Sequence, residues 1–167
     1  MLRLLIRPLK RADEPFLWEM LYHALYVPEG HEPFPRGIVN DPEIAGYVLG
    51  WGRANDLGFA AVDETTQKAV GAVWIRLFTT ENQGYGYVDD DTPELSIAIL
   101  PDYRKQGLGT RLLNHMIAEA AKQHSGLSLS VSSDNPAKRL YQRLGFEIIA
   151  QDGSSLTMMK RLERKEE

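Results

Sequence analysis

A dense apolar run from Glu94 to Leu100 is stopped by Pro101 and followed by a loop holding Gly107 and Gly109. The clearest helical periodicity in the chain comes next, with Leu108, Leu112, Leu113, Met116, Ile117 and Ala120 on one stripe. A second apolar run, Leu127 to Val131, closes the unit. Strand, helix and strand in that order require a crossover that returns the chain to lay a second strand in the same direction. Strands this apolar are buried on both faces, so the sheet needs helical cover.

The flanking segments extend this core. Arg3 to Leu9 alternates loosely and reads as a first strand. Asp13 is an N-cap residue with Pro15 in the first turn, and Leu17, Met20, Leu21, Ala24 and Leu25 form one apolar face. Trp18, Tyr22 and Tyr26 make a second stripe on that helix, which Pro28 stops. Residues Val27 to Val39 are rich in Pro and Gly and form a long loop. Asp41-Pro42 opens a second helix with Ile44, Tyr47, Val48 and Trp51 inward. Leu57 to Val62 and Ala69 to Phe78 make a hairpin, and a polar connection from Thr79 to Thr92 leads to Glu94. Beyond Val131, Asn135-Pro136 opens a short helix carrying Ala137, Leu140, Tyr141 and Leu144 on one face, with Gly145 as C-cap. Phe146 to Ala150 and Ser155 to Arg161 pair around Asp152-Gly153. The order β-α-α-β-β-β-α-β-α-β-β predicts an α/β (α+β) domain: a mixed sheet of six to seven strands with helices on both faces. The strand–helix–strand units are expected to cross over in parallel.

Residues 1–162 read as one domain, and the charged tail Glu163 to Glu167 is expected to fray. At 167 residues the chain can bury a core without metal or disulfide help. It has no cysteine, which removes disulfides, thiolate metal sites and a cysteine nucleophile. Its four histidines lack metal-ligand spacing, so no metal is expected. A net charge of -4 argues against a nucleic-acid partner. No apolar run reaches the ~18 residues of a membrane span. Arg3 and Arg7 interrupt the first apolar stretch, which is wrong for a signal peptide. A soluble, cytoplasmic protein is expected, with a homodimer left open.

The loop from Arg104 to Thr110 carries the chemistry. Two glycines before a helix let backbone N–H groups approach a ligand, and the helix start adds partial positive charge. Together they suit phosphate or pyrophosphate, with Arg104 and Lys105 adding cations. A glycine-rich turn that merely starts a helix explains the same residues. A Walker A loop is excluded because Thr110-Arg111 follows Gly109, and a dinucleotide fingerprint because only two glycines are present, in mid-chain.

Arg104-Lys105-Gln106-Gly107-Leu108-Gly109 resembles the R/Q-x-x-G-x-G/A signature of the GNAT superfamily of acyl-CoA N-acyltransferases. The strand Leu95 to Pro101 is similar to that family's acetyl-CoA-binding strand. Asn135 to Phe146 resembles its second cofactor motif, N-x-x-A-x-x-L-Y-x-x-x-G-F. The resemblance implies a GNAT-like domain that moves an acetyl group from acetyl-CoA to an amine of a small molecule, peptide or protein. It implies that N–H groups from Gln106 to Thr110, Leu108 included, hold the pyrophosphate. Pantetheine would then pair with the open strand edge around Ile97, Ala98 and Ile99, where the central strands splay, usually at a bulge. Ala137 and Lys138 belong to the same cofactor motif, and Asn135 either caps its helix or touches the cofactor. Tyr141 would stabilise the leaving thiolate, against the alternative of a core tyrosine with its hydroxyl hydrogen-bonded.

An alkyl amine is protonated at neutral pH, so a base is needed, and Glu94 is the candidate beside the alternative of a solvated strand end. Tyr22 and Tyr26, with the Val27 to Val39 loop, would wall an acceptor pocket, although a helix buried on two faces explains that stripe too. Asp89, Asp90 and Asp91 read as a solvated turn or an acidic lip. Without cysteine, direct attack in a ternary complex is expected. A non-catalytic acyl-CoA-binding module on the same fold is the alternative.

Overall fold

The computed structural model describes residues 2–163, so residues 164–167 of the charged tail lie outside it. Seven strands form one sheet: β1 (Leu4–Pro8), β2 (Leu57–Asp63), β3 (Lys68–Arg76), β4 (Glu94–Ile99), β5 (Gly126–Ser132), β6 (Glu147–Asp152) and β7 (Ser155–Arg161). Their spatial order is β1-β2-β3-β4-β5-β7-β6. The helices are α1 (Glu14–Ala24), α2 (Pro42–Ala45), α3 (Leu108–Ala120) and α4 (Ala137–Arg143). The element order is the one read from the sequence.

Side-chain alternation divides the core into two layers. Along β3, Val73 and Ile75 point to the face covered by α3 and α4, while Ala72 and Trp74 point to the face covered by α1 and α2. On α3, Leu112, Leu113, Met116 and Ala120 are fully enclosed. Each such leucine contributes about 1.5–3 kcal/mol by leaving water. No helix among the described residues is long and apolar enough to cross a membrane.

Four local expectations are corrected. Strands β1 and β2 pair antiparallel, so their two-helix connection is not a parallel crossover. Among the described residues only β4 and β5 are parallel neighbours; β7 inserts between β5 and β6. The Asp13 carboxylate caps no α1 N–H. It accepts from the Lys10 N–H at 2.7 Å and pairs with Arg7 at 2.9 Å, closing a 3-10 turn ahead of the helix. Helix α2 is a single turn, because Gly46 ends it and Gly50 and Gly52 adopt positive φ. Its expected inward residues Ile44, Tyr47, Val48 and Trp51 are nonetheless buried.

Candidate active site

Strands β4 and β5 touch at one register position, Glu94 opposite Ser128, and then diverge. On its other side β4 keeps an uninterrupted register with β3 from Glu94 to Ile99, so the splay involves no bulge in β4. The sheet's register shifts lie in the β2–β3 and β6–β7 pairings instead. Leu100 donates its N–H to Val70 across the β3 ladder, at 2.9 Å. By alternation, the N–H groups of Ile97 and Ile99 face the gap. On the opposite edge Ser133 donates to Ser154 of the β7 side, so the peptide group of Ser130 and the N–H of Ser132 also face the gap, the Ser132 carbonyl accepting from Asn135 at 3.0 Å. The gap is a slot through the sheet with open backbone on both sides.

The slot widens into a cleft of about 210 Å³. Tyr26, Glu94, Ile97, Asn135 and Tyr141 line it together, joined by Tyr47, Tyr85 and serines 96, 130, 132 and 155. Tyr141 belongs to the α3 layer and Tyr47 to the α1 layer. Glu94 shares the α1 side of β4 with Ala98, because residues two apart on a strand share a face. Hydroxyl and carboxylate therefore reach one slot from opposite faces of the sheet.

Glu94 sits at the apex of the splay, 3% exposed. Tyr47 donates its hydroxyl to one carboxylate oxygen and Gly86 donates its N–H to the other at 3.0 Å. Burial pushes the carboxyl up to about 7, the two donors only partly opposing it. Tyr47 is itself fixed: its hydroxyl accepts the Tyr85 N–H at 2.7 Å and its carbonyl accepts the Trp74 indole at 3.1 Å. The neighbouring carbonyls of Gly46 and Leu49 accept from Arg76, which is buried in an ion pair with Asp56 at 2.8 Å. Gly84 and Gly86 permit this closeness. A Cβ on Gly84 would stand 2.3 Å from a Glu94 oxygen, and one on Gly86 would strike the Leu129–Ser130 backbone at 2.7–2.9 Å.

Tyr141 is buried, with its ring edge-on to Phe146 at 6.0 Å. Its hydroxyl has no hydrogen-bond partner among the described residues, and burial pushes it up to about 12. It stays protonated and faces the slot as a donor. Asn135 accepts the Ala137 N–H at 2.9 Å, which makes it the effective cap of α4, and it also lines the slot.

The loop before α3 presents N–H groups to open space. Lys105 and Gly107 take positive φ, no side chain caps the helix, and no acid occupies its first turn. A Cβ on Gly107 would meet nothing within 4 Å. Gly109 packs the helix on β4, where a Cβ would stand 3.4 Å from Ile99. Leu108 sends its side chain into the core, Thr110 is half-buried, and Lys105 and Gln106 are exposed. Arg104 turns inward along the chain, donating to the Ile99 carbonyl at 2.9 Å and the His23 carbonyl at 3.4 Å. Ala137 and Lys138 are half-buried at the start of α4.

The matching family model, described as the acetyltransferase (GNAT) family, spans residues 5–146, the slot, the glycine loop and α4 together. The chain belongs to the GNAT acetyltransferase family. Among GNAT relatives, N-alpha-acetyltransferase 50 of Danio rerio is 37% identical over 84 residues, 48% of this chain and 46% of that one. The [ribosomal protein bS18]-alanine N-acetyltransferase of Escherichia coli strain K12 is 44% identical over 59 residues, 34% of this chain and 40% of that one. The matches thus span less than half of those relatives. Among solved GNAT structures, the PaiA N-acetyltransferase of Thermoplasma acidophilum in complex with coenzyme A superposes with a TM-score of 0.67 at 19% identity, covering 95% of this chain and 99% of that one. The Escherichia coli S18-alanine enzyme gives 0.65 at 22%, covering 99% and 97%. At these identities the structures share the fold with this GNAT chain.

Other residues fall away from the slot. Tyr22 does not line it; its hydroxyl holds the Phe34 carbonyl at 2.6 Å and its ring carries Arg36 at 4.3 Å, pinning the 27–39 loop to α1. Ala98 turns its backbone to β3 and its side chain to the α1 layer. Asp89, Asp90 and Asp91 form an exposed turn outside the cleft, with Asp90 accepting from Tyr87. Sequence pattern places Tyr47 only in the core and shows Gly84–Gly86 only as part of a polar, glycine-bearing connection. The signal for the slot's polar wall was present in L-S-L-S-V-S, where serine alternates with apolar residues along a buried strand.

Proposed function

We propose that this protein transfers an acetyl group from acetyl-CoA to a primary amine by direct attack within a ternary complex. The single observation that carries the reading is the slot at which Glu94 and the Tyr141 hydroxyl converge from opposite faces beside open β4 backbone. Pantetheine fits the β4 edge as an added strand, its amides pairing with the peptide groups of Ile97 and the N–H of Ile99. The pyrophosphate fits the uncapped N–H groups of Gln106 to Thr110. Arg104 supports the strand end through the Ile99 carbonyl rather than reaching for phosphate.

The chemistry follows from those placements. An incoming ammonium gives one proton to Glu94, which passes it to solvent. The free amine attacks the thioester carbonyl, polarised by the Ile97 N–H, so a C–N bond forms and the C–S bond breaks with its electron pair on sulfur. The nitrogen gives its second proton to the Glu94 carboxylate, freed again by loss of the first to solvent, and the sulfur departs as thiolate. Full transfer from a hydroxyl at about 12 to a thiolate near ~8.5 is uphill by about 5 kcal/mol. Tyr141 therefore acts by hydrogen-bond donation, and solvent supplies the final proton.

The testing experiment follows thiol release from acetyl-CoA across a panel of amines and pH values. With Glu94 as base, kcat/KM rises with pH through about 7, because the carboxylate must be ionised to accept a proton. Binding of acetyl-CoA with no turnover of any amine overturns the reading in favour of a binding module.

A further inference from the structure

The cleft has an unusual charge inventory. Among the described residues that line the cleft, Glu94 alone carries a formal charge, and no Lys, Arg or His lines it. The remaining polar groups are neutral. The hydroxyls of Ser130 and Ser155 bond each other at 3.2 Å, and Tyr26 is committed to the Asp134 carbonyl at 3.1 Å. Those of Ser96 and Ser132 have no partner among the described residues. The rest of the α1-side lining, Leu21, Ala24, Leu25 and Ile44, is apolar.

Resting on the acetyl-transfer reading, we infer that the acceptors are primary amines flanked by an uncharged amide, and that amines flanked by a carboxylate or phosphate are rejected. A free α-amino acid brings its carboxylate into a cleft of about 210 Å³ together with its amine. The ammonium of either ligand balances Glu94, but the carboxylate of the amino acid then finds no cation in the lining, a costly combination in a dry site. An α-amino amide presents a carbonyl oxygen and an N–H in the same place. The free serine hydroxyls and the β5 peptide groups match both. Proton transfer agrees with this choice. An α-ammonium beside an amide, near ~7.7–8.0, lies within about one unit of Glu94, whereas a lysine-like ammonium near ~10.4 lies over three units away. Sites built on neutral hydrogen-bonding groups discriminate strongly when a ligand cannot use them.

The test pairs alaninamide with alanine, and a dipeptide amide with its free acid, with rates expressed per unprotonated amine. The amide of each pair is expected to exceed its acid at least tenfold in kcat/KM. Ser155 stands half-buried at the start of β7 on the cleft wall. Ser155→Lys should narrow or invert the ratio by supplying the missing cation, and Ser155→Gln, which adds bulk without charge, should leave it. Equal or faster turnover of the free acids, or a ratio indifferent to Ser155→Lys, overturns the inference while acetyl transfer stands. Failure of every amine overturns the transfer reading, and the inference falls with it.

Discussion

Two hydroxyls, Tyr141 and Tyr47, are buried beside the same slot and do opposite things there. The Tyr141 hydroxyl is uncommitted, and in the proposed mechanism its worth is realised when charge develops on sulfur. Tyr141→Phe keeps the ring against Phe146 and should lower kcat and kcat/KM together about 10²-fold with KM unchanged. Full activity in a destabilised variant would return the residue to the core. Tyr47, by contrast, is spent already, stabilising ionised Glu94. Removing that donor in Tyr47→Phe withdraws a contact that favours the charged carboxylate. The acid limb of kcat/KM should therefore move above about 7, and loss of activity at high pH should be smaller than at pH 7. A uniformly lowered profile would show Tyr47 to be packing alone. Tyr47 illustrates what a one-dimensional reading misses. Its place on an apolar face marks it as buried, but its partner lies 47 residues away and is set by tertiary packing.

Elements were legible wherever periodicity and punctuation agreed. The apolar strand, the two-glycine loop and the α3 stripe appear where the sequence puts them, as does Asn135 at the head of α4. The direction of β1 relative to β2 was not legible, because pairing across a two-helix connection depends on where the chain re-enters the sheet. Nor was the role of the 79–92 connection, which reads only as a polar, glycine-bearing link between strands. Its Gly84–Gly86 segment lies instead against Glu94 and the β5 backbone, a contact only glycine allows. Gly86→Ala should force the segment off Leu129 and Ser130, losing the N–H that serves Glu94. The expected outcome is a stability loss of about 1–3 kcal/mol in denaturant unfolding, with turnover reduced further than that fraction of unfolded protein explains. Unchanged stability would show that the segment yields freely.

As a whole, the molecule is two half-sheets, β1 to β4 and β5, β7 and β6, joined in register at one residue pair. A ligand seated in the slot touches both halves, so acetyl-CoA should act on global stability. At 100 times its Kd it should add about 2.7 kcal/mol, which for a domain of this size raises Tm by roughly 5–10 °C. Gly109→Glu should abolish that shift, since its side chain brings negative charge to the N–H groups of the α3 start. A shift retained in the variant would move the anion site elsewhere. The open edges at the slot have a further consequence for exchange with solvent. Most strand amides in a sheet interior are protected by their neighbour, but those of Ile97, Ile99, Ser130 and Ser132 have no strand opposite them. In hydrogen–deuterium exchange the centre of this sheet should behave like a frayed border, exchanging far faster than Val73 or Leu127 on either side. Bound there as proposed, acetyl-CoA should close that border on β4, slowing Ile97 and Ile99 by orders of magnitude and standing in for the strand the fold leaves out.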